Sequence, residues 1–175
     1  MLRAEKESIR ILAIDPGSKN TGWAQLIDNT LVLNGNLKLF GNEPETYYTL
    51  YYFIRQQLEG IILESGEVLR PQYLVVESFF TGNMRGTTLI PELRGVIKLA
   101  AYQVGGVKIV DVAPGTVKKF VTVSGRASKD EVRAKICEKF KISIKSHDEA
   151  DAIAIGLTGH SKIVKEMAEE DAKNI

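Results

Sequence analysis

Asp15, Glu77, Asp148 and Asp151 are the residues of this chain best placed to do chemistry. Asp15 closes the apolar run IRILAI and opens the turn Asp15-Pro16-Gly17, and Glu77 closes the run QYLVVE. Asp148 and Asp151 stand three residues apart at a predicted helix start, which puts them on one face. Strand ends and helix starts project side chains into a shared cleft. Carboxylates gathered there repel one another unless cations neutralise them. Hard oxygen donors favour Mg²⁺ or Mn²⁺ over Zn²⁺. Two such cations, about 3.5–4 Å apart, activate water and stabilise the leaving 3′-oxygen of a phosphodiester. The pattern therefore predicts a metal-dependent phosphodiesterase acting on nucleic acid.

Taken singly, each acid has a plainer role. Asp15 fits an Asx-type turn before Gly17. Glu77 fits a solvated strand end, and Asp148 fits helix-dipole and capping stabilisation. Asp151 is harder to explain away, because it lies one turn in, between Ala150 and Ala152. The joint placement favours one site over four separate accidents.

The elements that must position these acids can be read from apolar spacing. Residues 9–14, 21–28 and 30–39 read as three strands, the last two joined by a tight turn at Asp28-Asn29, so the sheet opens as an antiparallel meander. Asn42 with Glu45 is a capping signature ahead of a helix over Tyr47–Leu63. Pro71 precedes a strand at Gln72–Glu77. A Gly-containing loop at 80–86 leads to a helix from Thr88 to Val104, stopped by Gly105-Gly106. Val107–Val112 is the fifth strand, and Pro114 opens a short helix through Phe120. Ser128 with Glu131 and Ser146 with Glu149 are two capping boxes, the second opening a last helix over roughly 147–168. A meander followed by strand–helix alternation gives an α/β fold: a mixed five-stranded sheet with helices on both faces, the ribonuclease-H-like architecture.

The chain has 175 residues, 44% hydrophobic and 26% charged, enough for one globular domain over 1–175 with its core at about 9–160. No apolar run approaches a membrane span and residues 1–8 are too charged for a secretory leader, so a cytoplasmic protein is expected. The single cysteine, Cys137, excludes an internal disulfide and sits at an apolar helix position, as a packed thiol does. His147 reads as a neighbour of the helix cap and His160 as a surface residue.

Net charge is +1, but residues 78–135 carry ten Lys/Arg against four acids, leaving an excess of acid elsewhere. A basic middle beside an acidic cluster suits a polyanion-binding face with a metal site at its centre. For any one Lys or Arg, a solvated helix face is the plainer reading.

These pieces, in order, resemble the RuvC-type Holliday-junction resolvases. ILAIDPGSKNTGWA is similar to that family's opening motif. VVESFF with the later LRGV resembles its second acidic segment and following helix, and HDEADAIAIG its terminal Asp-x-x-Asp-Ala helix. TVKKFVTVSGRASKDEV resembles its basic segment. The resemblance spans about residues 9–160. It implies that Asp15, Glu77, Asp148 and Asp151 bind two Mg²⁺ ions per active site, with Mn²⁺ able to substitute. It implies that Lys118 and Lys129 contact phosphates near the cut, with Arg85, Lys119 and Arg126 extending the DNA-binding set. Phe80 would stack on unpaired bases at the branch while Phe79 joins the core. The activity implied is symmetric nicking of two strands of a four-way DNA junction by a homodimer, in recombination and repair, leaving 5′-phosphates. A branch-migration motor would be a further partner.

Three alternatives stay open at this stage. A broader branched-DNA nuclease of viral type and an RNA-processing relative would use the same acids. A kinase or actin-like ATPase shares the sheet and an Asp15-Pro16-Gly17 phosphate turn. That class encloses nucleotide between two such domains, and Asp148 and Asp151 would go unused.

Overall fold

The computed structural model describes residues 8–40, 43–62, 66–78 and 89–173. Strands β1 (Arg10–Asp15), β2 (Asn20–Ile27) and β3 (Thr30–Lys38) form the antiparallel meander, turning at Asp28, whose φ of 52° is left-handed. After α1 (Glu43–Glu59) and a small ribbon, β4 (Ile61–Ile62) with β5 (Val68–Leu69), the chain returns as β6 (Tyr73–Glu77). Then come α2 (Leu89–Val104), β7 (Lys108–Val112), α3 (Pro114–Thr122), α4 (Lys129–Phe140) and α5 (His147–Lys173). The sheet order is β3-β2-β1-β6-β7, with β6 parallel to β1 and β7 parallel to β6. This is the mixed five-stranded sheet expected from the sequence.

Side-chain alternation sorts the core into two layers. Ile11, Ala13 and Val75 face α3, α4 and α5, where Val117, Ile136 and Ile153 are buried. Leu12, Ile14, Leu74 and Val76 face α1 and α2, where Ile54 and Ile97 are buried. β1 and β6 are covered on both sides, which is why they read as unbroken apolar runs. Positions of odd number on these two strands point to the α5 layer. Asp15 and Glu77 continue that parity past the last apolar residue.

Three expectations need correction. The helix expected over Tyr47–Leu63 ends at Glu59, because Gly60 takes a φ of +108°, and Ile61-Ile62 enter the ribbon. His160 is buried rather than on the surface. The cause is the close approach of α5 to the sheet: a Cβ on Gly156 would lie 2.4 Å from Leu26 Cδ1, and one on Gly159 2.5 Å from Val75 Cγ1. The second capping pair takes partners across the sheet, since Asn36 donates to Ser146 Oγ and Asn34 to Glu149. The Ser128–Glu131 box forms as expected. Cys137 is half-buried against the α5-side core. Asn42, Phe79, Phe80 and Arg85 lie outside the described residues.

Candidate active site

Parallel pairing of β1 and β6 sets two strand ends side by side, and each carries one acid on the α5 face: Asp15 and Glu77. The other two acids arrive at the start of α5, Asp148 in its first turn and Asp151 one turn on, and a glycine lets them in. Gly22 pairs with Asp15 across β1 and β2, and a Cβ there would stand 1.9 Å from the Asp148 backbone oxygen. Only a residue without a side chain allows α5 to begin directly over the strand that faces Asp15. The strand motif Thr21-Gly22-Trp23 held that signal in the sequence, as a lone glycine inside a strand.

The four carboxyls share one electrostatic neighbourhood. Asp15 is pushed up to about 7, by burial first and then by the Asp151 and Glu77 carboxylates, with Asp148 adding to the effect and Lys129 opposing it. Burial, then Asp151, also raises Glu77, against the pull of Lys129, Lys118 and Arg94. Lys129 leads α4 immediately after its Ser128 cap and reaches back into the acids. Its Nζ donates to Asp151 Oδ2 at 3.1 Å and lies 3.9 Å from Asp148 Oδ1. Burial alone would depress the Lys129 ammonium, yet Asp151, Asp15 and Asp148 hold it above the ordinary lysine value. Among the described residues no three acidic, histidine or cysteine side chains are arranged to hold an ion without rearrangement. Instead Lys129 supplies the positive charge.

The donor set nevertheless suits a hard divalent ion. Four carboxyls share this neighbourhood, and burial, followed by repulsion from Asp151 and Glu77, pushes Asp15 up to about 7. An added cation would lower the very pKa values that burial and repulsion raise.

The basic residues expected on nucleic acid fall into two groups. Lys118, half-buried on α3, acts electrostatically on Glu77. Lys119 and Arg126 are exposed on α3 and on the loop to α4. His147, read as a cap neighbour, places Nε2 3.0 Å from Asp130 Oδ1, away from the acid cluster.

One charged group went unread in the sequence. Arg94 on α2 is buried, and its Nη2 donates to Asp111 Oδ1 at 2.6 Å, while Lys98 donates to Asp111 Oδ2 at 2.9 Å. Asp111 is the β7 residue paired with Val76, next to Glu77 but on the opposite face of the sheet.

Comparison with known proteins adds to this geometry. Residues 11–160 match the family model described as crossover junction endodeoxyribonuclease RuvC. A protein of that description from Campylobacter jejuni is 32% identical over 157 residues, covering 86% of this chain and 94% of the relative. One from Nitrobacter hamburgensis is 34% identical over 155 residues, covering 86% and 88%. A Thermus thermophilus RuvC structure superposes with a TM-score of 0.70 at 21% identity, over 89% of this chain and 97% of that one. The T. thermophilus RuvC in complex with a Holliday junction substrate gives 0.72 at 21% identity, over 89% and 96%. At that identity the two structures speak for the fold.

Proposed function

The chain belongs to the RuvC family of crossover junction endodeoxyribonucleases, metal-dependent enzymes, and from that premise we propose that it resolves four-way DNA junctions by paired, symmetric nicks. In this reading Asp15, Glu77, Asp148 and Asp151 hold Mg²⁺, two ions per site, with Mn²⁺ as a substitute. The observation that carries it is the Asp15 carboxyl, raised to about 7 at the meeting of two parallel strand ends and a helix start. A half-buried acid whose ionised form is disfavoured by desolvation and by neighbouring carboxylates is what a cation site needs.

Divalent metal bound there supplies activation of water and stabilisation of charge on the leaving oxygen, so that a 5′-phosphate remains. The chain's own residues do the rest. Asp15 must release its proton before it can ligate, so at limiting metal nicking rises with pH through about 7. Asp151 would be among the residues holding the metal, and Lys129, now paired with it, would then be free to place its ammonium on a phosphate oxygen near the cut. Lys118 takes a neighbouring phosphate, and Lys119 and Arg126 follow the backbone outward. Phe80 keeps its assignment at the branch, and Arg85 its place in the DNA-binding set, as part of the same reading. A homodimer matches the two-fold symmetry of the junction, and a branch-migration motor is a compatible partner.

The test is incubation with Mg²⁺ and a labelled four-way junction, a replication fork, linear duplex and structured RNA. Nicks at symmetric positions on two junction strands are expected. Equal cutting of fork and junction would favour a broader branched-DNA nuclease, and cutting of RNA alone would overturn the proposal.

A further inference from the structure

Phe40 is 73% exposed immediately after β3, among the largest exposures of any large apolar side chain described. Among the described residues its ring touches no other ring, unlike Tyr48 and Tyr52, whose rings pack on each other with centroids 4.3 Å apart. Phe40 lines an open pocket of about 640 Å³ whose apolar floor includes Leu39 and Leu89, and whose charged groups are Lys19 and Lys38, both exposed. Among the described residues no carboxylate pairs with either ammonium.

The position is fixed by backbone. Asn20 and Lys38 are partners in the β2–β3 ladder, and Leu39 N–H donates to Lys19 O at 2.9 Å, clamping the residue before Phe40 to the β1–β2 turn. That turn begins at Asp15. The pocket therefore opens on the same edge of the sheet as the acid cluster, on the side covered by α1 and α2, from which Thr46 and Leu89 complete its lining.

An exposed, rigidly based aromatic between two unpaired lysines has the makings of a stacking platform: the ring takes a base face and the ammoniums take the flanking phosphates. We propose that Phe40, Lys19 and Lys38 form a second nucleic-acid site, which receives an unpaired nucleotide of the strand whose backbone lies at the acid cluster. This rests on the junction-nicking reading above and adds to it a base contact distinct from Phe80. Intact duplex offers no free base face, so the site discriminates opened from closed DNA.

The experiment measures affinity for a four-way junction and for linear duplex with Ca²⁺ replacing Mg²⁺, using wild type, Phe40→Ala, Phe40→Trp and the Lys19→Ala/Lys38→Ala pair. Phe40→Ala is expected to weaken junction binding roughly 5- to 100-fold with duplex binding within two-fold. Phe40→Trp is expected to retain junction affinity. The lysine pair should flatten the salt dependence by up to about two phosphate contacts. Thermal unfolding verifies that the exposed substitutions leave the fold intact. A Phe40→Ala chain that binds the junction within two-fold of wild type, or loses both DNAs equally, overturns the inference. If wild type itself shows no preference for junction over duplex, the parent reading fails and this site with it, a result visible before any variant is compared.

Discussion

Asp15 and Asp111 lie at the C-terminal ends of strands two apart in the same sheet, yet their environments drive them in opposite directions. Asp111 has both carboxylate oxygens engaged, by Arg94 at 2.6 Å and Lys98 at 2.9 Å. Burial alone would raise it, but those two cations hold it below the ordinary carboxylate value. Asp15 meets three other acids and one shared lysine, and rises to about 7. At Asp111 two cations meet one carboxylate, so its negative charge is fully countered. The Asp15 cluster is short of positive charge in a protein that has placed cations elsewhere, and that imbalance separates a site from a structural ion pair.

The comparison breaks most visibly with Asp15→Asn, which keeps shape and removes one charge. Nicking should fall by on the order of 10³-fold or more, about 4 kcal/mol of barrier, with junction binding retained. The same variant should unfold at a higher temperature than wild type at pH 8 without metal, since one repelling charge is gone. Full activity, or a lowered unfolding temperature, would remove Asp15 from the site.

Next in size is Gly22→Ala. The added methyl meets the Asp148 backbone oxygen, which is not a flexible side-chain end, so the start of α5 must shift. A displacement near 1 Å costs about 10²-fold in rate, with stability reduced by about 1–3 kcal/mol. Initial rates at saturating Mg²⁺, set beside calorimetric unfolding, separate the two effects.

A pH titration of metal-free stability sharpens the contrast. Asp15 and Glu77 bind protons more tightly folded than unfolded, so their contribution falls as pH rises from about 4 to about 7 and is level above. Asp111 has the opposite sign: its contribution is present above the unfolded carboxylate pKa and is lost as pH falls through its lowered folded value. Denaturant midpoints that climb steadily from pH 4 to 7 would contradict the assignment of Asp15 and Glu77. The smallest effect belongs to Asp111→Asn, which leaves Arg94 buried with a weaker partner. Because Asp111 is 41% exposed, solvent screening limits the loss to about 1 kcal/mol, and nicking should change little.

Much of this molecule was legible before folding. The apolar runs ending at Asp15 and Glu77, the Asp-x-x-Asp spacing on α5 and the Ser128 capping box are local patterns that hold wherever the chain is regular. The shared face of Asp15 and Glu77 was hidden, because strands covered on both sides show no alternation. The acids could be named because all four lie where such regular stretches end. His160 could not be placed, because its burial depends on Gly156 and Gly159 bringing α5 against Leu26 and Val75. The ribbon at Ile61-Ile62 was hidden by its apolar residues, which suit a helix until Gly60 turns the chain.

By itself, the order of residues determined the five strands of the main sheet, the helices apart from the end of α1, and which side chains could carry negative charge to one edge. Only the tertiary structure decided that Lys129 sits with Asp151, that Gly22 admits Asp148, and that Phe40 stands out beside Lys19 and Lys38. Periodicity acts over one or two turns of chain, whereas a shared electrostatic field joins groups more than a hundred residues apart. Such a field exists only once packing has brought them within a few ångströms in a medium that screens poorly.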